Sequence, residues 1–156
     1  PREDEDVAQA VKEQLEALSV VLKEYGLWAL CDEVYAELTY SGTHTSLASF
    51  LPDQTIVITG LSKSHAMTGW RIGYILGPVP FINEVVKTHQ YMVTSPSSSS
   101  QYGALAAMLH GQGDCDIMKA EYQQRREYLA KELRRLDFEV ASPDGAFYLF
   151  AKIPAK

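Results

Sequence analysis

Four kinds of side chain in this sequence could do chemistry together. Lys63 stands in "GLSKSHAMTGWRIG" (60–73), with glycines at 60, 69 and 73 and an arginine at 71. A primary amine attacks a carbonyl carbon. A guanidinium grips a phosphate through two parallel hydrogen bonds, and glycine lets the backbone approach a ligand. Upstream, in "DEVYAELTY", Asp32 offers a carboxylate and Tyr35 a phenolic donor. Ser62, beside the lysine, serves equally as a phosphate contact or as an ordinary turn serine. Other nearby residues have plainer readings: His65 as a loop histidine, Glu33 as a carboxylate turned away from Asp32, Trp70 and Tyr74 as packing aromatics, Cys31 as a strand thiol.

Both reactive groups follow short apolar runs. Val7, Val11, Leu15, Leu18 and Leu22 recur at steps of four and three, one face of a helix, and Tyr25–Gly26 closes it with glycine as the left-handed cap. "LWALC" predicts a strand buried on both faces, stopping at Asp32. "TIVIT" predicts a second, β-branched strand ending just before Gly60, and "RIGYIL", which carries Arg71, a third. The link between the second and third is too short for a helical crossover, so an antiparallel pair is expected. Ligands of open α/β sheets sit beyond the C-terminal ends of strands, which is where Asp32 and Lys63 fall.

Further on, "GTHTSLASFLPDQ" reads as irregular chain with a short helical turn and "PFINEVVKTHQYM" as a helix. "VTSPSSSS" reads as a polar break with serines 97–100 in a solvated turn, and "QYGALAAMLH" as a closely packed, small-faced helix. Gly111 and Gly113 mark a joint. A long amphipathic helix is expected from Cys115 to Leu136, with Ile117, Tyr122, Leu129 and Leu133 on its apolar side. "FEVASPDGAFYLFAKI" predicts two strands around the turn "SPDGA".

Composition narrows the classes. The chain has 156 residues, 46% apolar, enough for an ordinary domain with a core. A net charge of −6 without a dense basic patch speaks against nucleic acid. No apolar run approaches the ~18 residues of a membrane span. Histidines 44, 65, 89 and 110 lack metal-ligand spacing, so no metal site is expected. Cys31 and Cys115 form no CxxC and read as reduced, structural thiols of a cytosolic protein. The acidic opening "PREDED" resembles neither a secretory signal nor a transit peptide.

An amine, a carboxylate, a phenol and a guanidinium together match the demands of pyridoxal 5'-phosphate: a lysine to condense with its aldehyde, a carboxylate for its ring nitrogen, a donor for its phenolic oxygen and a cation for its phosphate. The stretch Gly60, Leu61, Ser62, Lys63, Met67, Gly69, Arg71, Ile72, Gly73 resembles the lysine signature of the class I and II aminotransferases, the fold type I pyridoxal-phosphate enzymes. "DEVYAELTY" is similar to that family's aspartate and tyrosine segment, "TSPSSSSQYGALAA" to its dimer-interface loop and helix, and "DGAFYLF" to the first strand region of its small domain. These separated motifs occur in family order, and the likeness covers nearly the whole chain after about residue 15.

The resemblance implies roles. Lys63 would bind the cofactor and act as the catalytic base; Asp32 would pair with the ring nitrogen, Tyr35 with the phenolic oxygen, and Arg71, with Ser62, with the phosphate. Many relatives carry a serine where this chain has Gly60, which leaves one phosphate hydroxyl to come from elsewhere. The implied architecture is α/β: residues 1–113 as part of a mainly parallel-sheet large domain, and 114–156 as an interdomain helix and the beginning of a small α+β domain. The implied activity is amino transfer from an amino acid to a 2-oxo acid, by a homodimer. The family's cofactor-stacking aromatic, first phosphate loop and Asn-Pro turn precede the Asp32 segment, and its substrate-carboxylate arginine follows the region of Lys156. The chain is therefore expected to be a fragment, inactive alone, that keeps one wall of the site. A carbon–sulfur lyase or another fold type I enzyme would use the same four residues, and a remnant that binds no cofactor is a third reading. "SKSHAMTGWRIGY" is similar to aspartate, aromatic and N-acetyl-diaminopimelate aminotransferases; the substrate itself is not legible.

Overall fold

The computed structural model describes residues 2–141 and 144–154. Helix α1 (Arg2–Glu24) follows the expected apolar spacing. It ends where Gly26 takes φ +61°, with the Leu27 N–H donating to the Leu22 carbonyl at 2.9 Å, the left-handed closure that glycine adopts cheaply. Strand β1 (Ala29–Asp32) pairs in parallel with β2 (Thr55–Thr59), and β2 pairs antiparallel with β3 (Tyr74–Leu76). The expected antiparallel return is thus present. Between β1 and β2 the chain makes short 3-10 turns at Ala36–Leu38, Leu47–Ser49 and Pro52–Gln54 instead of a crossover helix.

Helix α2 (Leu61–Ser64) is a single turn; α3 (Val79–Val93) starts on Pro78 with Pro80 in its first turn, where a missing N–H costs nothing. Helices α4 (Ser98–His110) and α5 (Gln112–Arg135) meet at Gly111. Strands β4 (Glu139–Val140) and β5 (Ala151–Lys152) form a separate antiparallel pair. The core gathers Leu38, Leu47, Leu51, Ile56, Val57, Leu61, Met67, Cys115 and Ala130, from the middle strand, the links around it and the inner side of α5.

Several expectations are corrected. Among the described residues β1 is an edge strand, and it is not buried on both faces: Leu30 is 67% exposed, because no described element packs on the face of the sheet towards which it points. The third strand holds only Tyr74–Leu76, and Arg71 precedes it in a left-handed conformation (φ 51°, ψ 49°) that no strand residue adopts. Serines 98–100 are not a solvated turn but the first turn of α4, and Ser100 is buried, donating its hydroxyl to the Trp70 carbonyl at 2.7 Å. Helix α5 begins three residues before Cys115 and ends at Arg135. Its inward stripe runs through Cys115, Tyr122, Arg126 and Ala130, which leaves Ile117 70% exposed and Leu129 on the outside too. Residues 144–150 form no strand; of the turn "SPDGA", Ser142 and Pro143 lie outside the described residues.

Candidate active site

The strand register decides which residues can meet. In the parallel pair, Asp32 lies opposite Ile58, so β1 and β2 end at the same sheet edge. In the antiparallel pair, Tyr74 lies opposite Thr59, so the chain re-enters the sheet at that edge as well. Everything between Gly60 and Gly73, Lys63 and Arg71 included, is one excursion from this edge. Its two ends touch. A Cβ on Gly60 would stand 2.9 Å from the Gly73 Cα and 3.0 Å from the Ile72 carbonyl oxygen, and one on Gly73 would stand 2.9 Å from the Thr59 oxygen. These glycines close the excursion upon itself, while the space around Gly69 is open.

Within the excursion, α2 buries Leu61 and Ser64, and Met67 is buried just after it. The Leu61 carbonyl accepts from the N–H groups of His65 (3.1 Å) and Met67 (3.3 Å), and the Thr68 hydroxyl donates to the Ser62 carbonyl at 2.9 Å. Pinning these residues leaves the half-buried Lys63 on the other side of the turn. Its Nζ makes no hydrogen bond or ion pair among the described residues. It lies 5.8 Å from the centre of the Tyr35 ring and 5.5 Å from that of Phe147, within range of a cation–π attraction.

Tyr35 follows β1 and is held by the turn at Ala36–Leu38, whose Leu38 is fully buried. Its hydroxyl lies 2.9 Å from the Tyr148 hydroxyl, and its ring meets those of Phe147 and Tyr148 edge to face at 5.4 and 5.8 Å. The bond to Tyr148, with smaller contributions from burial and the Asp32 charge, pushes the Tyr35 pKa up to about 12. Asp32 is exposed at the end of β1; Oδ1 accepts the Val34 N–H at 3.2 Å. Arg71 is exposed, and Nη1 donates to the Thr68 carbonyl at 3.0 Å. The structure therefore brings Lys63 and Tyr35 face to face, with Asp32 near enough to bear on the Tyr35 proton. Arg71 and Ser62 share the same edge but touch none of the other three among the described contacts.

Phe147 and Tyr148 escaped the sequence reading, which assigned "DGAFYLF" to a strand. The segment is zipped to the turn after Tyr35. Tyr40 N–H donates to the Asp144 carbonyl (2.8 Å), Ala146 N–H to the Leu38 carbonyl (3.0 Å), and the Tyr40 hydroxyl to the Ala146 carbonyl (2.7 Å). Arg126 of α5 stacks on Tyr40 at 4.4 Å, and Tyr122 packs against Phe147 at 5.5 Å. The legible signal was the pair of adjacent aromatics behind a turn.

The plainer residues keep plain surroundings. His65 Nδ1 lies 2.8 Å from the Ser64 hydroxyl, its ring packs against Gly111, and its buried Nε2 has no partner among the described residues. Glu33 accepts the Ser46 hydroxyl at 2.6 Å and lies 3.0 Å from His44 Nε2, tying the 41–46 loop to the end of β1. The Trp70 ring packs so closely on α4 that a Cβ at Gly103 would stand 2.7 Å from it; Tyr74 lies in β3. Burial pushes the Cys31 and Cys115 thiols up, away from reactivity. Among the described residues no cluster could hold a metal ion, and no helix is long and apolar enough to cross a membrane.

Comparison with known proteins adds a second line of findings. Residues 8–156 match the family model described as aminotransferase class I and II. The chain is 45% identical over 142 residues to a probable N-acetyl-LL-diaminopimelate aminotransferase of Bacillus subtilis, covering 91% of this chain and 36% of that protein. It is 39% identical to an aspartate aminotransferase of Geobacillus stearothermophilus, covering 88% and 36%. Among solved structures, a Thermus thermophilus aspartate aminotransferase variant complexed with tryptophan superposes with a TM-score of 0.87 at 34% identity, over 90% of this chain and 37% of that one. An aromatic aminotransferase of Pyrococcus horikoshii gives 0.86 at 35%, over 91% and 39%. The chain thus spans well under half the length of these relatives.

Proposed function

The chain belongs to the class I and II aminotransferase family, and we propose that in the whole protein it forms the lysine-bearing wall of a site that moves an amino group from an amino acid to a 2-oxo acid, with pyridoxal 5'-phosphate as cofactor. The observation that carries this reading is the Lys63 amine, half-buried against Tyr35 and bound by no hydrogen bond, at the edge that also holds Asp32 and Arg71. The donor set fits the cofactor: a free amine, a carboxylate with one oxygen engaged, a phenol kept protonated and a guanidinium with one nitrogen engaged.

When bound, pyridoxal phosphate supplies an aldehyde that captures amino groups and a ring that takes up electron density. The residues of this chain would supply one wall's share of the rest. Lys63 holds the cofactor through Nζ and, when released, moves the proton at the substrate α-carbon. Asp32 pairs with the ring nitrogen, and Tyr35 donates to the phenolic oxygen. Arg71 and Ser62 bind the phosphate, and Phe147 keeps water from the amine. On this reading residues 1–113 contribute to a large, mainly parallel-sheet domain, and 114–156 form an interdomain helix and the start of a small one. A cytoplasmic homodimer is the expected assembly. The substrates are an amino acid and a 2-oxo acid of the kinds for which the relatives are named: aspartate, aromatic or N-acetyl-LL-diaminopimelate.

The test is chemical. The whole protein is incubated with pyridoxal phosphate, reduced with borohydride, digested and mapped. A pyridoxyl label on Lys63 is expected; a label on Lys23, Lys87 or any other lysine, or none, overturns the assignment.

A further inference from the structure

Tyr148 has no role in the reading above, yet its hydroxyl is the only described hydrogen-bond partner of the Tyr35 hydroxyl, at 2.9 Å. The two residues come from segments 113 positions apart. They meet because residues 144–146 are zipped to residues 38–40 by the three bonds already described, with a ladder contact between Thr39 and Gly145. Gly145 suits that contact: a Cβ there would stand 3.3 Å from the Leu38 oxygen. The next residue, Ala146, takes φ +58°, and the chain then delivers Phe147 and Tyr148 onto the Tyr35 ring. The pairing is thus built by backbone on both sides and does not depend on two surface side chains drifting together.

We propose that Tyr148 is a positioning residue for Tyr35: it holds the Tyr35 hydroxyl oxygen in place before the ligand arrives and, when the ligand takes the Tyr35 proton, donates its own proton to that oxygen. The proposal rests on the aminotransferase reading for the identity of that ligand, the phenolic oxygen of the cofactor. A phenol has one proton and two lone pairs. In the free protein the Tyr35 proton goes to Tyr148, the direction in which this bond holds the Tyr35 proton on; Tyr35 can give that proton to a ligand oxygen when the pair reverses, and Tyr148 is placed to donate in its turn. Without the Tyr148 hydroxyl, the Tyr35 oxygen has no partner to hold it before binding and no donor once its proton is given, so the cost of ordering it falls on the ligand. The groups facing Tyr35 are the Tyr148 hydroxyl, the Asp32 carboxylate and the Lys63 amine, with the apolar Phe147 ring beside them.

The experiment is a cycle of Tyr148→Phe, Tyr35→Phe and the double variant in the whole protein, with two readouts. First, the cofactor-free protein is labelled at tyrosine Cζ with carbon-13 and titrated by NMR, Tyr35→Phe assigning the signal. Tyr148→Phe keeps the ring and removes the bond, so the Tyr35 midpoint should fall from about 12 towards the ordinary ~10; an unchanged midpoint overturns the proposal. Second, the cofactor dissociation constant is measured. Tyr148→Phe should weaken binding by roughly 2–10-fold, the worth of one neutral hydrogen bond, when Tyr35 is present, and by nothing further when Tyr35 is already Phe. Equal weakening in both backgrounds would mean that Tyr148 supports the fold and nothing more. Borohydride labelling of Lys63 separates the two failures. A normally labelled protein with additive effects sinks this proposal alone, whereas a wild type that takes no label sinks the aminotransferase reading and this proposal with it.

Discussion

Gly60→Ala tests the geometry that sets the distance between Lys63 and Arg71. The added methyl would stand 2.9 Å from the Gly73 Cα and 3.0 Å from the Ile72 carbonyl oxygen, where carbon atoms settle at roughly 3.5–4.0 Å. Both neighbours are backbone, so no rotamer change relieves the clash and the two ends of the excursion must move apart by about half an ångström or more. Overpacking of this kind costs about 1–3 kcal/mol. The Gly60 backbone is extended (φ 171°) and strains no L-residue, and alanine narrows the unfolded ensemble by about 0.4–1 kcal/mol. The net loss is about 1–2 kcal/mol. With a urea slope of about 2 kcal/mol/M, the unfolding midpoint should drop by roughly 0.5–1 M. Gly69→Ala, nine residues on, is the control: nothing lies within 4 Å of its added Cβ, so its midpoint should hold or rise slightly. The same displacement should weaken cofactor binding in Gly60→Ala, because the guanidinium moves relative to the amine. A Gly60→Ala protein as stable as wild type, or a Gly69→Ala protein equally damaged, would refute the backbone-contact argument.

Three further outcomes follow from the site and the core. Asp32→Asn should leave borohydride labelling of Lys63 intact while turnover in the whole protein falls by a factor of order 10³, because the ring nitrogen loses its anionic partner; near-normal steady-state turnover refutes the pairing. Arg71→Lys keeps a charge but loses the two-pronged grip, so equilibrium titration should show cofactor affinity lower by roughly 1–3 kcal/mol. Cys115, 1% exposed, has its pKa raised first by burial and then by the Glu37 charge. Its contribution to stability is therefore complete below the unfolded-state pKa and is lost as pH climbs towards the folded value. Native protein at pH 8 should react with a disulfide reagent far more slowly at Cys115 than unfolded protein does.

How much of this the sequence carried depends on whether the information was local. Helix α1 and its glycine closure were legible because a 3.6-residue period and a left-handed cap are written in adjacent residues. The antiparallel β2–β3 return was legible from link length alone, and with it the placing of Lys63 beside the strand ends. The limits of the third strand were not: Arg71 sits among residues that suit a strand, yet it is the left-handed exit of the turn at Thr68–Trp70, and which conformation wins there is decided by closure against Gly60. The serines 98–100 misled for a similar reason. A run of four serines reads as solvated, but Ser100 is buried and finds its acceptor in the Trp70 carbonyl, thirty residues away, and no local pattern announces it.

The site itself divides along the same line. Lys63, Asp32, Tyr35 and Arg71 could be nominated from the sequence because each stands in a motif whose residue types match one chemical demand. The Tyr35–Tyr148 contact could not be nominated in this way because it spans 113 positions and is created by bonds between residues 38–40 and 144–146 that leave no mark on composition or period. Edge strand β1 carries the complementary lesson. "LWALC" states what a strand could bury, and the strand is there in part, Ala29–Asp32, without Leu27 and Trp28; Leu30 is nevertheless 67% exposed. An apolar run specifies an appetite for burial, and whether the partner that meets it lies within the same 156 residues is not written in the run.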